Sequence, residues 1–173
     1  SNPTVLCIHQ EKGEEDIWIG TDGGGINRFN PLSYEFTHYP STKKAKVVSI
    51  APYSKEELAI SIHADRIWLF NKINGNLRPL NIKDEEVNYK IAYSGTNITL
   101  HKETGGSMLL ISSMVRRLNP NTLTCSKITI ADGKNSSGNI LIIGQTTQGL
   151  WLHDSSSIYL LADGESQMHR ITT

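Results

Sequence analysis

Ile17-Trp18-Ile19-Gly20-Thr21-Asp22-Gly23-Gly24-Gly25-Ile26-Asn27-Arg28-Phe29-Asn30-Pro31 is the stretch on which the reading of this 173-residue chain turns. Trp18 before the glycines, and Ile26 to Phe29 after them, carry aromatic and branched side chains that suit a pleated, half-buried surface. The Asp22-Gly23-Gly24-Gly25 run accepts positive φ cheaply, as a tight hairpin requires. Asn30-Pro31 ends the second strand, because proline lacks the donor a ladder needs and restricts the residue before it. A third strand spans 35–39 and stops at Pro40, and Val5–Gln10 forms one ahead of the motif. That is one module of four strands in roughly forty residues.

The module recurs. A shift of 41 positions sets Ile19 on Ile60, Ile26 on Ile67, Asn30 on Asn71 and Phe36 on Leu77, so the second copy runs over 58–71. A shift of 124 sets Gly20 on Gly144, Gly25 on Gly149 and Asn30 on Asp154, giving a fourth copy over 140–154. The third copy is the poorest: 115–120 matches 26–31 behind a shorter hairpin, and 100–105 echoes 8–13. The anchors Asn30, Asn71, Asn119 and Asp154 stand 41, 48 and 35 residues apart. Periods of about 40–50 residues with four strands each belong to β-propeller blades. The expected fold is therefore all-β: a single partial β-propeller over 1–173, with about four blades of four antiparallel strands at 4–40, 47–82, 97–130 and 125–173.

The glycine run also has a phosphate-loop reading. Such a loop needs its glycines to open a helix. Here the glycines lead into β-branched and aromatic residues ending in Asn-Pro, and the Walker lysine is missing.

Composition narrows the classes further. With 38% hydrophobic and 20% charged residues, the chain is neither disordered nor membrane-like. No apolar run approaches the ~18–20 residues that cross a bilayer. Ser1-Asn2-Pro3 opens almost directly onto a strand with no signal-peptide core, as a segment cut from a longer chain would. The 17 basic and 17 acidic residues balance, which argues against nucleic-acid contact. Lys43-Lys44-Ala45-Lys46 and Arg116-Arg117 read as solvated surface. Cys7 and Cys125 allow at most one disulfide and read as free, small hydrophobes in strands. The six histidines are scattered singly, so no metal site and no cofactor are expected.

The residues Trp18, Gly20, Thr21, Gly25, Arg28, Phe29, Asn30, Phe36 and Tyr39 resemble the propeller repeat of the hybrid two-component sensor histidine kinases of Bacteroides-type bacteria. The match is full in the first copy, partial in the second and fourth, and weak in the third. The resemblance implies a periplasmic sensor region of an inner-membrane protein, responding to oligosaccharides released from glycans. The kinase, receiver and DNA-binding parts of that family are not in these residues. Any kinase activity therefore lies outside the segment, and no catalytic residue is assigned.

In a propeller, the turn between second and third strands shares a rim with the connection between blades. The rim loops are then 22–24, 41–46, 63–66, 83–97, 112–114, 131–137 and 146–148. The 83–97 segment is an insertion relative to the other copies and carries Asp84, Glu85, Glu86, Tyr89, Lys90 and Tyr93. A sugar site needs planar aromatics and a few fixed polar groups in a concave mouth. His63, Asp65, Arg66, Tyr89 and Tyr93 are of those types and form the candidate ligand site. Trp18, Trp68 and Trp151 sit inside strands and read as core between blades. Asp22, Asp65 and Asp132 would be the acids of a glycan-acting enzyme, the least favoured reading. A protein-interaction scaffold without small ligand is the other alternative. Four blades leave an uncovered sheet face, so the expected partners are the remaining blades of a parent chain, or a second copy closing a ring of about eight blades.

Overall fold

A computed structural model describes residues 4–93 and 97–171, with 90–93 described by backbone alone. Among them the chain forms sixteen strands and one short α-helix, in two compact units. The first unit comprises Ser1–Asn81 with Glu85–Leu100, and the second Ile82–Asp84 with His101–Thr173.

The first unit holds two antiparallel meanders. β1 (Val5–Gln10), β2 (Ile17–Thr21), β3 (Gly25–Asn30) and β4 (Glu35–His38) pair in chain order, as do β5 (Val47–Pro52), β6 (Glu57–Ile62), β7 (Ile67–Asn71) and β8 (Leu77–Pro79). The 41-residue shift survives as register. Trp18 faces Arg28 and Ile19 faces Asn27; one period on, Ala59 faces Leu69 and Ile60 faces Trp68. Each first strand also carries a bulge at the same place, between Val5 and Cys7 and between Val47 and Ser49.

The two sheets pack through one core. Trp18, 2% exposed, meets Phe70 edge-on at 5.6 Å and Tyr39 at 5.8 Å, with Ile26, Val47, Leu58 and Ile60 around them. Burying a side chain of this size contributes about 1.5–3 kcal/mol. Gly20 makes the approach feasible: a Cβ there would lie 2.5 Å from Cys7 Sγ and 2.8 Å from the Val47 carbonyl oxygen. The glycine turn docks on the connection that leads to β5. Gly23 and Gly25 N–H both donate to the Ala45 carbonyl at 3.1 Å, and Ile26 N–H donates to Thr42 Oγ1 at 2.9 Å. Those amides are committed to the fold, which is the physical reason the run is not a phosphate cradle.

From β9 (Thr99–Lys102), whose first two residues belong to the first unit, the second unit continues through β10 (Met108–Ile111), β11 (Val115–Leu118) and β12 (Cys125–Ile130). β13 (Leu141–Thr146), β14 (Gly149–His153), β15 (Ile158–Leu161) and β16 (Gln167–Ile171) form a further meander. The two join in one eight-stranded sheet through a short parallel pairing, Thr129 with Gln167 and Ile130 with Met168. Leu109, Ile111, Ile128, Leu152, Tyr159 and Leu161 build its core. The Arg117 guanidinium is held by both oxygens of Glu103 at 2.6 and 2.7 Å, a fork-to-fork pairing that fixes both side chains.

All four anchors share one chemistry. The side-chain Oδ1 of Asn30, Asn71, Asn119 and Asp154 accepts the N–H groups two and three residues on, at 2.8 to 3.2 Å. This is the Asx turn for which Asn and Asp are selected. In the first three copies the residue four beyond the anchor then turns left-handed: Tyr34 at φ 59°, Gly75 at 73° and Leu123 at 59°.

Three expectations are corrected. The fourth copy's hairpin, over 140–154, takes the first and second places of its meander rather than the second and third, because β16 adds a strand after it. The 83–97 insertion contains a helix, α1 (Glu85–Tyr93), whose first turn carries Glu85 and Glu86 against the positive end of the helix dipole. Among the three tryptophans only Trp18 is fully buried; Trp68 and Trp151 are half-buried.

Candidate functional site

In the first unit the predicted rim loops come together at one end of the strands. The Lys46 carbonyl accepts His63 N–H at 2.9 Å, and Lys46 Nζ lies 3.5 Å from Asp22 Oδ2. The turns at 22–24 and 63–66 are thus tied to the 41–46 connection.

The 63–66 turn carries three of the five candidates. Ala64 adopts φ 55°, which closes the turn and brings Asp65 and Arg66 back over β7. Asp65 Oδ2 accepts the Trp68 indole N–H at 2.8 Å, and Asp65 Oδ1 lies 3.4 Å from Arg66 Nε. The Arg66 guanidinium stands over the Trp68 ring, 5.7 Å from its centroid. His63 Nδ1 is 2.7 Å from Asn97 Oδ1, which joins the turn to the segment that follows α1. Arg66 and Asp65 side chains are 55% and 41% exposed, so their ion pair contributes little stability, about 0–1 kcal/mol. What the arrangement fixes is orientation: an indole held by a carboxylate on its N–H edge and by a cation over its face.

Tyr89 stands on α1 of the same unit and is 64% exposed. Tyr93 ends that helix, and its side chain lies outside the described residues. His63, Asp65 and Arg66 therefore form one cluster, and Trp68 and Asn97 are the members that sequence reasoning assigned elsewhere or passed over. A signal for Trp68 was present. By the shifts of 41 and 124, Trp68 and Trp151 both fall on the place of Asn27, not of Trp18. All three residues at that place donate N–H back into their own hairpin: Asn27 to the Gly25 carbonyl, Trp68 to Asp65 and Trp151 to Thr146 Oγ1.

The rim acids each have a local partner. Asp22 pairs with Lys46, Asp65 with Trp68 and Arg66, and Asp132 with Arg170 at 2.8 Å. Backbone donation from Lys134 leads the effects that hold the Asp132 carboxyl below its ordinary pKa. Among the described residues no three His, Cys, Asp or Glu side chains are grouped to hold a metal ion. Cys7 and Cys125 are free thiols, each pushed up to about 11 by burial. No helix among the described residues is long and apolar enough to cross a membrane.

No protein-family model matches the chain, and no curated protein sequence does. Solved structures match in fold. The extracellular domain of a hybrid two-component system from B. thetaiotaomicron superposes with a TM-score of 0.67 at 18% identity, over 91% of this chain and 20% of that one. The extracellular domain of a one-component system from the same organism gives 0.65 at 18% identity, over 91% and 21%. PorZ, a surface component of the type-IX secretion system of Porphyromonas gingivalis, gives 0.68 at 11% identity, over 98% and 21%. At these identities the likeness is one of fold. This chain spans about a fifth of the length of each.

Proposed function

We propose that this chain is an extracytoplasmic, ligand-sensing segment of a hybrid two-component sensor histidine kinase, located in the periplasm as part of an inner-membrane protein. The observation that carries the reading is the likeness in fold, over 91% of the chain, to the extracellular domain of a hybrid two-component system. In this reading the four-stranded meanders are blades of a β-propeller. Their shared register and the four Asx anchors support that assignment. The signal would be an oligosaccharide, received at the 63–66 turn, where Asp65 and Arg66 orient the Trp68 indole and His63 pairs with Asn97. Tyr89, exposed on α1 of the same unit, would offer a further aromatic face. An indole edge fixed by a carboxylate, beside groups that donate and accept, suits a pyranose face and its hydroxyls.

We read the segment as binding rather than catalysing, with phosphoryl transfer left to parts outside it. The local partners of Asp22, Asp65 and Asp132 support this, because a glycosidase needs two carboxylates aimed at one bond. Partners in the parent protein would be its remaining blades. On its own, the chain would pair with a second copy through the apolar side chains that β1 leaves open, Ile8 at 66% and Val5 at 50% exposure. Light scattering that finds only monomer at high concentration overturns that pairing.

Calorimetric titration with a panel of neutral and charged oligosaccharides tests the sensing reading. Saturable heat is expected with one class, weakened about tenfold or more by Arg66→Ala, an exposed substitution that leaves the core alone. No heat with any member, or equal affinity in the variant, contradicts the site.

A further inference from the structure

At the far end of β7 from the 63–66 turn, Asn71-Lys72-Ile73-Asn74-Gly75-Asn76 turns the chain into β8. Asn74-Gly75 is the only asparagine–glycine step in the 173 residues. The backbone nitrogen after an asparagine can attack the side-chain amide carbon and close a five-membered ring. Glycine, lacking Cβ, leaves that approach unhindered. Asn74 is exposed, and its Oδ1 accepts the Asn76 N–H at 2.9 Å, which holds the amide beside the Gly75 peptide and draws electrons from its carbon. A bulkier residue after the asparagine would suppress the reaction, but the fold does not admit one. Gly75 sits at φ +73°, and a Cβ there would lie 2.8 Å from Tyr39 Cδ1, in a ring packed against Trp18 and Phe70.

The same turn joins the second sheet to the first. Ser41 Oγ donates to the Gly75 carbonyl at 2.6 Å. Lys72 Nζ, 11% exposed, is held by Glu11 at 2.8 Å and Glu14 at 2.9 Å. Within the turn, Gly75 N–H donates to the Asn71 carbonyl and Asn71 N–H to the Asn76 carbonyl, both at 2.9 Å. The attacking nitrogen must lose its proton, and a proton bonded to a carbonyl is held. Reaction therefore waits for the turn to open locally. The contacts that fix the 71–76 turn, the Ser41 bond among them, set how often that happens. The product acts back on the joint. Ring opening at the backbone carbonyl leaves isoaspartate, a main chain one atom longer between residues 74 and 75, which moves Gly75 relative to Ser41 and Tyr39.

We propose that Asn74 is a site of spontaneous deamidation, gated by the joint between the two sheets of the first unit. The Gly75 nitrogen, its proton taken by water or hydroxide, bonds to Asn74 Cγ. The side-chain Cγ–N bond breaks, and the nitrogen takes up a proton and leaves as ammonia. One water then opens the succinimide to aspartate or isoaspartate, so water is the only co-reactant. The site does not depend on the sensor reading or on the Trp68 cluster. The test ages the whole folded chain in mildly alkaline buffer, beside a urea-unfolded sample, and follows its peptides by mass spectrometry. Enzymatic methylation marks the isoaspartate. The expected result is a gain of about one mass unit at Asn74 ahead of every other asparagine, including Asn135 before Ser136, and its loss in Asn74→Gln. Ser41→Ala, a surface change, should speed the conversion about two- to tenfold, the factor that one lost hydrogen bond allows. The purified isoaspartyl form should unfold at lower urea than the unmodified chain. Conversion of another asparagine first in the folded chain overturns the site, as does an Asn74 still intact there when the unfolded sample has converted fully. An unchanged rate in Ser41→Ala overturns the gating, and equal urea midpoints overturn the effect on the joint.

Discussion

Replacing Gly25 by alanine tests whether the glycine turn is a docking joint for the chain that enters the next sheet. Gly25 sits at φ +69°, a region that costs an L-residue about 1–2 kcal/mol. A Cβ there would stand 2.2 Å from Thr42 Oγ1, 2.3 Å from the Thr42 carbonyl oxygen and 2.7 Å from its carbon. The hydroxyl can swing away, but backbone atoms cannot. Thr42 is also 1% exposed and held by the bonds from Ile26 and to Tyr39. Overpacking of this kind costs about 1–3 kcal/mol, so the two effects together amount to about 2–5 kcal/mol. That is a large fraction of the roughly 5–15 kcal/mol by which a domain is stable. Urea unfolding followed by tryptophan fluorescence measures it, since Trp18 lies in the same unit. A loss below about 1 kcal/mol for Gly25→Ala would refute the joint, because it would mean the connection moves aside freely.

Further expectations concern single residues. Leu123→Gly relieves a left-handed side chain, 59° in φ, by about 1–2 kcal/mol against about 0.5–1 kcal/mol of added backbone entropy, so a small net stabilisation is expected in the same urea titration. Burial alone would raise the Asp154 pKa, but Tyr159 O–H and the Ser137 and Ser156 N–H groups outweigh it and hold the carboxyl well below its ordinary value. Its contribution is then full above the unfolded value near 3.8 and is lost as pH falls through the folded one. Asp154→Asn should cost about 1–3 kcal/mol at pH 7 and flatten the acid limb of the stability–pH curve. Cys7 and Cys125, each pushed up to about 11, should resist alkylation at pH 8 in the native protein and react readily in urea.

The parts of this fold that were legible in sequence are those decided within a few residues. Asn30, Asn71, Asn119 and Asp154 could be picked out because an Asx turn needs only its own next three residues. The first hairpin could be placed because glycine and proline punctuate it. The place of the fourth copy was not legible, because which strand a hairpin pairs with depends on residues far along the chain, and β16 reads as weakly as any surface stretch. The helix at Glu85–Tyr93 hid behind its polar composition, although Val87 and Ile91 stand one turn apart. In the candidate site, His63, Asp65 and Arg66 followed from the turn they occupy. Trp68 does pack in part against the core, as its place in a strand implies, but its indole N–H also serves the rim turn, which its alignment with Asn27 could have told.

Amide hydrogen exchange of the chain with and without a saturating oligosaccharide from the calorimetric panel tests the recognition surface most directly. The account predicts slowed exchange in the 41–46 and 63–66 connections and at the start of β7, where Trp68 is oriented. Slowed exchange confined to other segments, or none in 63–66 at full occupancy, would contradict it.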